Sequence, residues 1–291
     1  MVDIKIGEYV ELIIDKIAYN CEPVFDGITA GVEWIVTGLQ GILNFPHPII
    51  ITVLFTLLAY WLLARPYGAF TKQGWKAGRG IVIFIFVGMF LIGGMGFWEE
   101  TMQTLALVIA SALISLVIGI PTGIVASRSD RFEQMVRPVL DLMQTMPAFV
   151  YLIPAILFFS VGNVPGVVAT VVFALPPGVR LTDLGIREVQ EDVIEAARAF
   201  GCTDRQLLFK VQIPLAMTTI MAGVNQVIML SLSMVVIASM VGAAGLGERV
   251  YTGILQADIG LGFEAGLGIV IIAIFLDRIT QALGVKKSTT S

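Results

Sequence analysis

The chain has 291 residues, of which 57% are hydrophobic and only 14% charged, against about 25% charged in soluble domains. A mean hydropathy of +0.89 excludes a soluble globular domain and makes the chain a polytopic membrane protein. The formal net charge of −4 decides little, because charge placement matters more here than the sum.

Residues 1–46 are acidic (Asp3, Glu8, Glu11, Asp15, Glu22, Asp26, Glu33) yet patterned. Ile6, Val10, Ile13, Ile14 and Ile17 recur at helical spacing, as do Phe25, Ile28, Val32, Ile35, Leu39 and Ile42. This is the pattern of amphipathic helices on a membrane surface. Packing of the same faces on the first span is the plainer alternative. An extra span over 28–46 is disfavoured by Glu33, Gln40 and several glycines and threonines. No basic stretch precedes an apolar core, so no cleavable signal peptide is expected.

Crossing a hydrocarbon layer of about 30 Å takes roughly 20 apolar helical residues. Seven spans are expected, near 47–64, 80–97, 102–126, 139–161, 164–179, 216–240 and 263–283. His47, between Pro46 and Pro48, reads as a cap or interfacial residue at the first. No charge interrupts Thr101 to Ser127, nor Leu142 to Val179; the latter run holds two spans with Gly162-Asn163-Val164-Pro165 as the turn. Pro147 and Pro154 loosen the fourth span. Residues 211–247 are also uncharged. As one helix they would reach about 55 Å, so irregular backbone is expected around Gly242, Gly245 and Gly247. Gly119/Gly123 and Ala238/Gly242 provide small pairs for close helix approach. No ionisable residue falls at a span centre; Asp141, Glu264, Asp277 and Arg278 lie near expected span ends. Gln144, Met146, Pro147, Asn225, Ser231, Ser233, Gly242 and Gly245 are the candidates for a pathway or its gate. Trp34, Trp61, Trp75 and Trp98 are spread as interfacial anchors.

Fifteen of the eighteen basic residues fall in 65–79, 128–137, 180–210 and 278–287, and only Lys5, Lys16 and Arg249 on the other side. Such asymmetry places the first group in the cytoplasm, with the N-terminus outside and the C-terminus inside. Cys21 and Cys202 then lie on opposite sides, as free thiols.

The one long loop, 180–214, reads as two short helices meeting at a corner. The first runs from about Glu191 to Phe200, and Gly201 ends it in the left-handed conformation. Thr203 starts the second, with Gln206 completing a capping box; Pro214 lies close to where the span resumes. Val193, Ala196, Ala197 and Phe200 make an apolar stripe flanked by Glu195 and Arg198, suited to a groove on a partner. The chain carries no G-x-x-x-x-G-K-[ST] phosphate cradle, no Cys/His cluster with metal-ligand spacing and no nucleophile–base pair.

The set Glu195, Ala196, Ala197, Gly201, Ile213, Pro214 and Leu215 resembles the EAA loop of ABC importer permeases. Asp141–Pro154, Ala174–Arg180 and Val241–Gly247 are similar to the glycine betaine/proline permeases of the ProW and OpuAB type. The likeness covers about 100–283; Gln212 before Ile213-Pro214 is a small departure. It implies an all-α, type I ABC importer permease fold with an N-terminal amphipathic helical segment (1–46), two accessory spans (47–98), a five-helix core (99–283) with the coupling loop at 180–214, and a cytoplasmic tail (284–291). It further implies a plasma-membrane permease of a prokaryote that works as a pair, with two ATP-binding subunits. Glu195, Ala196, Ala197, Arg198, Phe200, Gly201 and Pro214 would couple to them. ATP and Mg would sit on those subunits, with no cofactor on this chain and no nucleic-acid partner. Some relatives carry a fused binding domain; this chain ends at Ser291, so a separate extracellular binding protein is expected. The implied cargo is glycine betaine or a related compatible solute. Choline, carnitine, proline or a sulfonate are alternatives, with a secondary carrier or channel more distant.

Overall fold

The computed structural model describes residues 16, 20–64 and 72–284. The expected helix around Ile6–Ile17 and the tail beyond residue 284 lie outside the described residues, as do Arg65 and the side chain of Trp75. The described chain is helical, and no strand occurs among the described residues. Among the described residues, four helices are long and apolar enough to cross a membrane, or up to six if each of two bent pairs counts as one span, and Arg79–Met95 is a shorter apolar helix. The architecture is thus the expected helical, multi-span one, with the count of seven left unconfirmed by length and composition.

The first described helix, α1 (Glu22–Asn44), turns by 99° into α2 (Pro48–Ala64). His47 Nδ1 accepts from the Ile49 N–H at 3.4 Å in the linker, so the capping reading of His47 holds. α1 has three sectors. Val32 and Val36 are buried in the main core, and Phe25 stacks on Phe158 at 4.6 Å. Val24, Trp34, Ile42 and Phe45 are exposed and apolar. Glu22, Asp26 and Glu33 occupy the remaining side. Its neighbours are α4, α6 and α7, described next, rather than the first span. α2 pairs with α3 (Lys72–Met95), and this hairpin leans on the last helix. Its outward residues, such as Ile49, Val53, Leu57, Phe86 and Phe90, are large and apolar, as a lipid-facing surface requires.

The centre is a tight trio: α4 (Trp98–Arg128), α7 (Asn163–Arg187) and α10 (Ile213–Ala238). Small residues set its spacing. A Cβ on Gly123 would lie 2.5 Å from the Val179 carbonyl oxygen and 2.7 Å from Thr182 Cβ. The Gly119/Gly123 pair thus does what its spacing suggested. Ala238 packs on Gly166 instead, and Gly242 lies past the end of α10, so that second pair does not act as a pair.

Three boundaries differ from expectation. The fourth span is two helices, α5 (Asp130–Thr145) and α6 (Ala148–Phe159), bent by 98°. Met146 and Pro147 take extended ψ values of 137° and 141°; a proline disfavours helical backbone in the residue before it. Pro154 stays inside α6. The fifth span does not stop at 179 but continues helically to Arg187, where Arg187 bonds to Asp183 and Asp130 at 2.8 and 2.6 Å. After α10, a 3-10 turn (Ser239–Val241) and left-handed Gly242 lead to α11 (Leu246–Gln256), which packs on α12 (Ile259–Gly284). The irregular stretch after the sixth span is present as expected, although Gly247 is already helical.

Candidate coupling loop and translocation elements

Between α7 and α10 the chain makes α8 (Glu191–Ala199) and α9 (Asp204–Leu207). The corner between them is built from local hydrogen bonds. Gly201 has φ +79°, its N–H donates to the Arg198 carbonyl at 2.9 Å, and the Cys202 N–H donates to the Ala197 carbonyl at 3.1 Å. This bond pair ends a helix on a left-handed residue. Thr203 and Gln206 then form the reciprocal capping box, at 3.0 and 3.3 Å.

The frame beneath is anchored. Leu208 packs with Ile186, Ala216 and Ile220, Leu207 is buried, and Arg128 Nη2 donates to the Asp204 carbonyl at 2.9 Å. Pro214 does not mark a break. Leu208–Gln212 forms a π-turn, the Ile213 N–H reaches the Leu208 carbonyl, and the helix continues through Pro214. The wider turn accommodates a residue that lacks an N–H and crowds the preceding turn.

α8 itself has no buried residue. Glu195, Ala196 and Arg198 are exposed, Val193 and Ala197 half-buried, and Phe200 is 90% exposed. The Phe200 ring is thus held out in solvent just before the Gly201 turn. Arg128 and Arg187 cluster at this end of the bundle, whereas Arg249 lies at the far end, pairing with Glu100 at 2.7 Å.

The pathway candidates separate into three groups. Gly242 and Gly245 belong to a tether at the far end. Ala244 N–H donates to Asn163 Oδ1, and Leu246 N–H to Thr104 Oγ1, each at 2.9 Å. A Cβ on Gly245 (φ +128°) would lie 2.4 Å from that Thr104 oxygen, and one on Gly242 2.6 Å from Val161. Ser231 is buried inside the bundle, its Oγ without a partner among the described residues, while Ser233 is exposed with Oγ donating to the Met229 carbonyl at 3.1 Å. Ser233 shares α10 with the exposed residues Leu215, Thr218, Ala222 and Gln226. Gln144 and Met146 sit at the α5–α6 bend with Pro147.

Two polar contacts were missed from the sequence. Arg180 forms an ion pair with Asp141 and donates from Nη1 to Gln144 Oε1 at 2.7 Å. Asn225 Nδ2 donates to Asp277 Oδ1 at 3.2 Å, and Gln281 to the same carboxylate at 2.8 Å. Asn225 is midway along α10, and a Cβ on nearby Gly223 would lie 3.0 Å from Leu181 Cβ of α7. Both contacts are therefore at similar height, with Asp141 four residues before the end of α5 and Asp277 seven before the end of α12. Arg180 could have been flagged as the first charge after the run Leu142–Val179; its partner could not be chosen without the bend.

A trio of closely packed spans with an exposed short helix at one end is the frame, and the relatives of the chain identify it as that of an ABC importer permease subunit. The chain belongs to the family described as "Binding-protein-dependent transport system inner membrane component", which matches residues 115–286. It is 50% identical to the glycine betaine transport system permease protein OpuAB of Bacillus subtilis (strain 168), over 98% of this chain and 96% of that one. It is also 50% identical to the glycine betaine/proline betaine permease ProW of Escherichia coli (strain K12), over 93% and 73%. Identity is 48% to the glycine betaine/carnitine permease GbuB of Listeria monocytogenes, over 97% and 96%. Among solved structures, an inward-facing MetNI methionine ABC transporter chain superposes with a TM-score of 0.57 at 23% identity, covering 63% of this chain and 93% of that one; this shows the fold alone.

Proposed function

We propose that the chain is the membrane path of an importer for glycine betaine or a closely related compatible solute, coupled through α8 to a separate ATPase. The observation that carries the coupling assignment is α8 itself: a helix with no buried residue, closed at its C-terminus by the Gly201 turn and followed by α9 and a π-turn that are anchored on α4, α7 and α10. Phe200, Ala196 and Ala197 would enter a groove on the ATPase, with Glu195 and Arg198 on its rim; Gly201 and Pro214 shape the frame. ATP and Mg would be held by that partner. A bound anchor of this kind transmits closure of two ATPases as a rigid-body shift of the permeases.

A second copy is favoured by exposed residues of α10. Thr218, Ala222, Gln226 and Ser233 are small or polar and exposed, unlike the large apolar outward faces of α2 and α3. Such residues suit a wet path between two chains better than lipid, and two-fold pairing is the commonest closed assembly. An extracellular binding protein would deliver the solute to the far end. α1 would lie in the outer membrane surface, its acidic sector in water and its exposed apolar sector in the bilayer. In this reading, which the distribution of basic residues supports, the N-terminus is outside and the C-terminus in the cytoplasm. The native cysteines, both free and partly exposed, test that orientation: an impermeant thiol reagent added outside should label Cys21 and spare Cys202, and the reverse pattern would overturn it.

The cargo is supported by relatives at about half identity whose names specify glycine betaine. Uptake of labelled betaine, choline, carnitine and proline by the reconstituted complex decides among them. Uptake should require ATP and favour betaine; preference for another solute replaces the cargo, and uptake without ATP removes the importer reading in favour of a carrier or channel.

A further inference from the structure

A cavity of about 500 Å³ lies between α5 and α7. Val136, Leu140, Val179 and Leu184 give it apolar walls. Its rim carries both signs of charge: Glu133, Asp141 and Asp183 face Arg137, Arg180 and Arg187. The formal charges cancel. A neutral lining of mixed sign offers little to a simple ion, but it complements a small molecule that carries both charges at once.

The upper edge of the cavity is the Arg180–Asp141 pair. Arg180 lies seven residues before the end of α7, about 10 Å along the helix from Arg187. The pair is open: the two side chains are 39% and 57% exposed. A charged pair facing lipid would be costly, which favours water or solute as its cover. Both groups also have unused capacity. Arg180 engages Asp141 Oδ1 and Gln144 Oε1, two of the five N–H donors of a guanidinium. Asp141 Oδ2 receives no donor among the described residues.

We propose that this cavity is a transit site for a zwitterionic solute on the permease chain itself. The solute carboxylate sits on the free N–H groups of Arg180, and its quaternary ammonium faces Asp141 Oδ2 and the apolar wall. Entry adds two contacts of opposite sign to the existing ion pair, so no charge is left unpaired. No aromatic ring lines the cavity, so the ammonium gains no cation–π contact. The site therefore holds its occupant weakly, as a point of passage should. This rests on the zwitterionic-cargo reading above and deepens it.

The test uses the permease–ATPase complex in lipid nanodiscs without the binding protein. Saturation-transfer NMR reads the methyl protons of glycine betaine, with choline as cation-only and acetate as anion-only probes. Betaine should give the strongest transfer. R180Q and D141N should each lower it by about tenfold, the loss of one charge-assisted contact, and L184W, which fills the mouth and leaves the ion pair intact, should lower it too. In the complete system these variants should slow turnover, with half-saturation, set by the binding protein, unchanged. Retained ATP hydrolysis and a monodisperse complex show that they fold. Betaine transfer no greater than that of choline, or unchanged in all three variants, overturns the site. If wild-type uptake of betaine proceeds while the variants keep their signal, the site falls and the cargo reading stands. If betaine binds and the variants lose it, but the wild-type system does not import it, the cargo reading falls and the zwitterion site stands.

Discussion

The α4–α7–α10 trio and the α8 corner are both helical, yet they are built to opposite specifications. In the trio, backbones approach so closely that a single methyl group at Gly123 meets a carbonyl oxygen at 2.5 Å. On α8 nothing is buried, and only the frame around it is fixed. The trio spends its side chains on internal contact, whereas the corner fixes its backbone and leaves its side chains free. Rigid support under an unoccupied surface is what a coupling element needs, because motion imposed at the surface must reach the spans without being absorbed at the joint.

The contrast can be broken most severely in the trio. Gly123→Leu should cost at least the roughly 1–3 kcal/mol of core overpacking, because its obstacle is backbone, and should prevent recovery of a folded complex; an unchanged thermal midpoint would mean the trio is looser than described. Gly201→Val comes next. A β-branched residue at φ +79° carries about 1–3 kcal/mol of local strain, which should distort the corner without unfolding the bundle. Uptake should fall while the ATPase continues to hydrolyse ATP, and normal uptake would refute the corner's role.

Phe200→Ala sharpens the comparison further. Exposed substitutions usually change stability by less than about 0.5 kcal/mol, whereas loss of an aromatic anchor at an interface costs about 2 kcal/mol or more of binding. The thermal midpoint of the isolated permease should stay put and its affinity for the ATPase should drop; titration of labelled ATPase measures the second. Glu195→Lys should have the smallest structural effect of the four, with stability unchanged and the ratio of uptake to ATP hydrolysis lowered. Intact coupling in this variant would confine the contact to the apolar stripe.

What could be read in advance follows the range of the forces involved. The corner was legible because its determinants are local. Gly201 and the Thr203/Gln206 box act over a few residues, and both are present. The Gly119/Gly123 contact was legible because small residues at four-residue spacing lie on one helix face. The α5–α6 bend was not, because hydropathy is a sum over a window and carries no direction; it saw one apolar run where Met146-Pro147 turns the axis by 98°. The end of α7 was misplaced for a related reason. Arg180 and Arg187 look like loop residues until Asp141 and Asp130, some 40 to 60 residues earlier, neutralise them.

The sequence by itself determined the membrane class, the approximate spans, the corner and the resemblance that led to the family, because apolar composition, helix caps and motif spacing are properties of neighbouring residues. The tertiary structure alone decided that Ser231 faces inward and Ser233 outward, that Gly242 and Gly245 are pinned beside Val161 and Thr104, and that Arg180 meets Asp141. Those outcomes depend on which distant residue occupies the space opposite. The cost of a buried charge or an added methyl group is set by that neighbour, and folding brings the neighbour from another part of the chain.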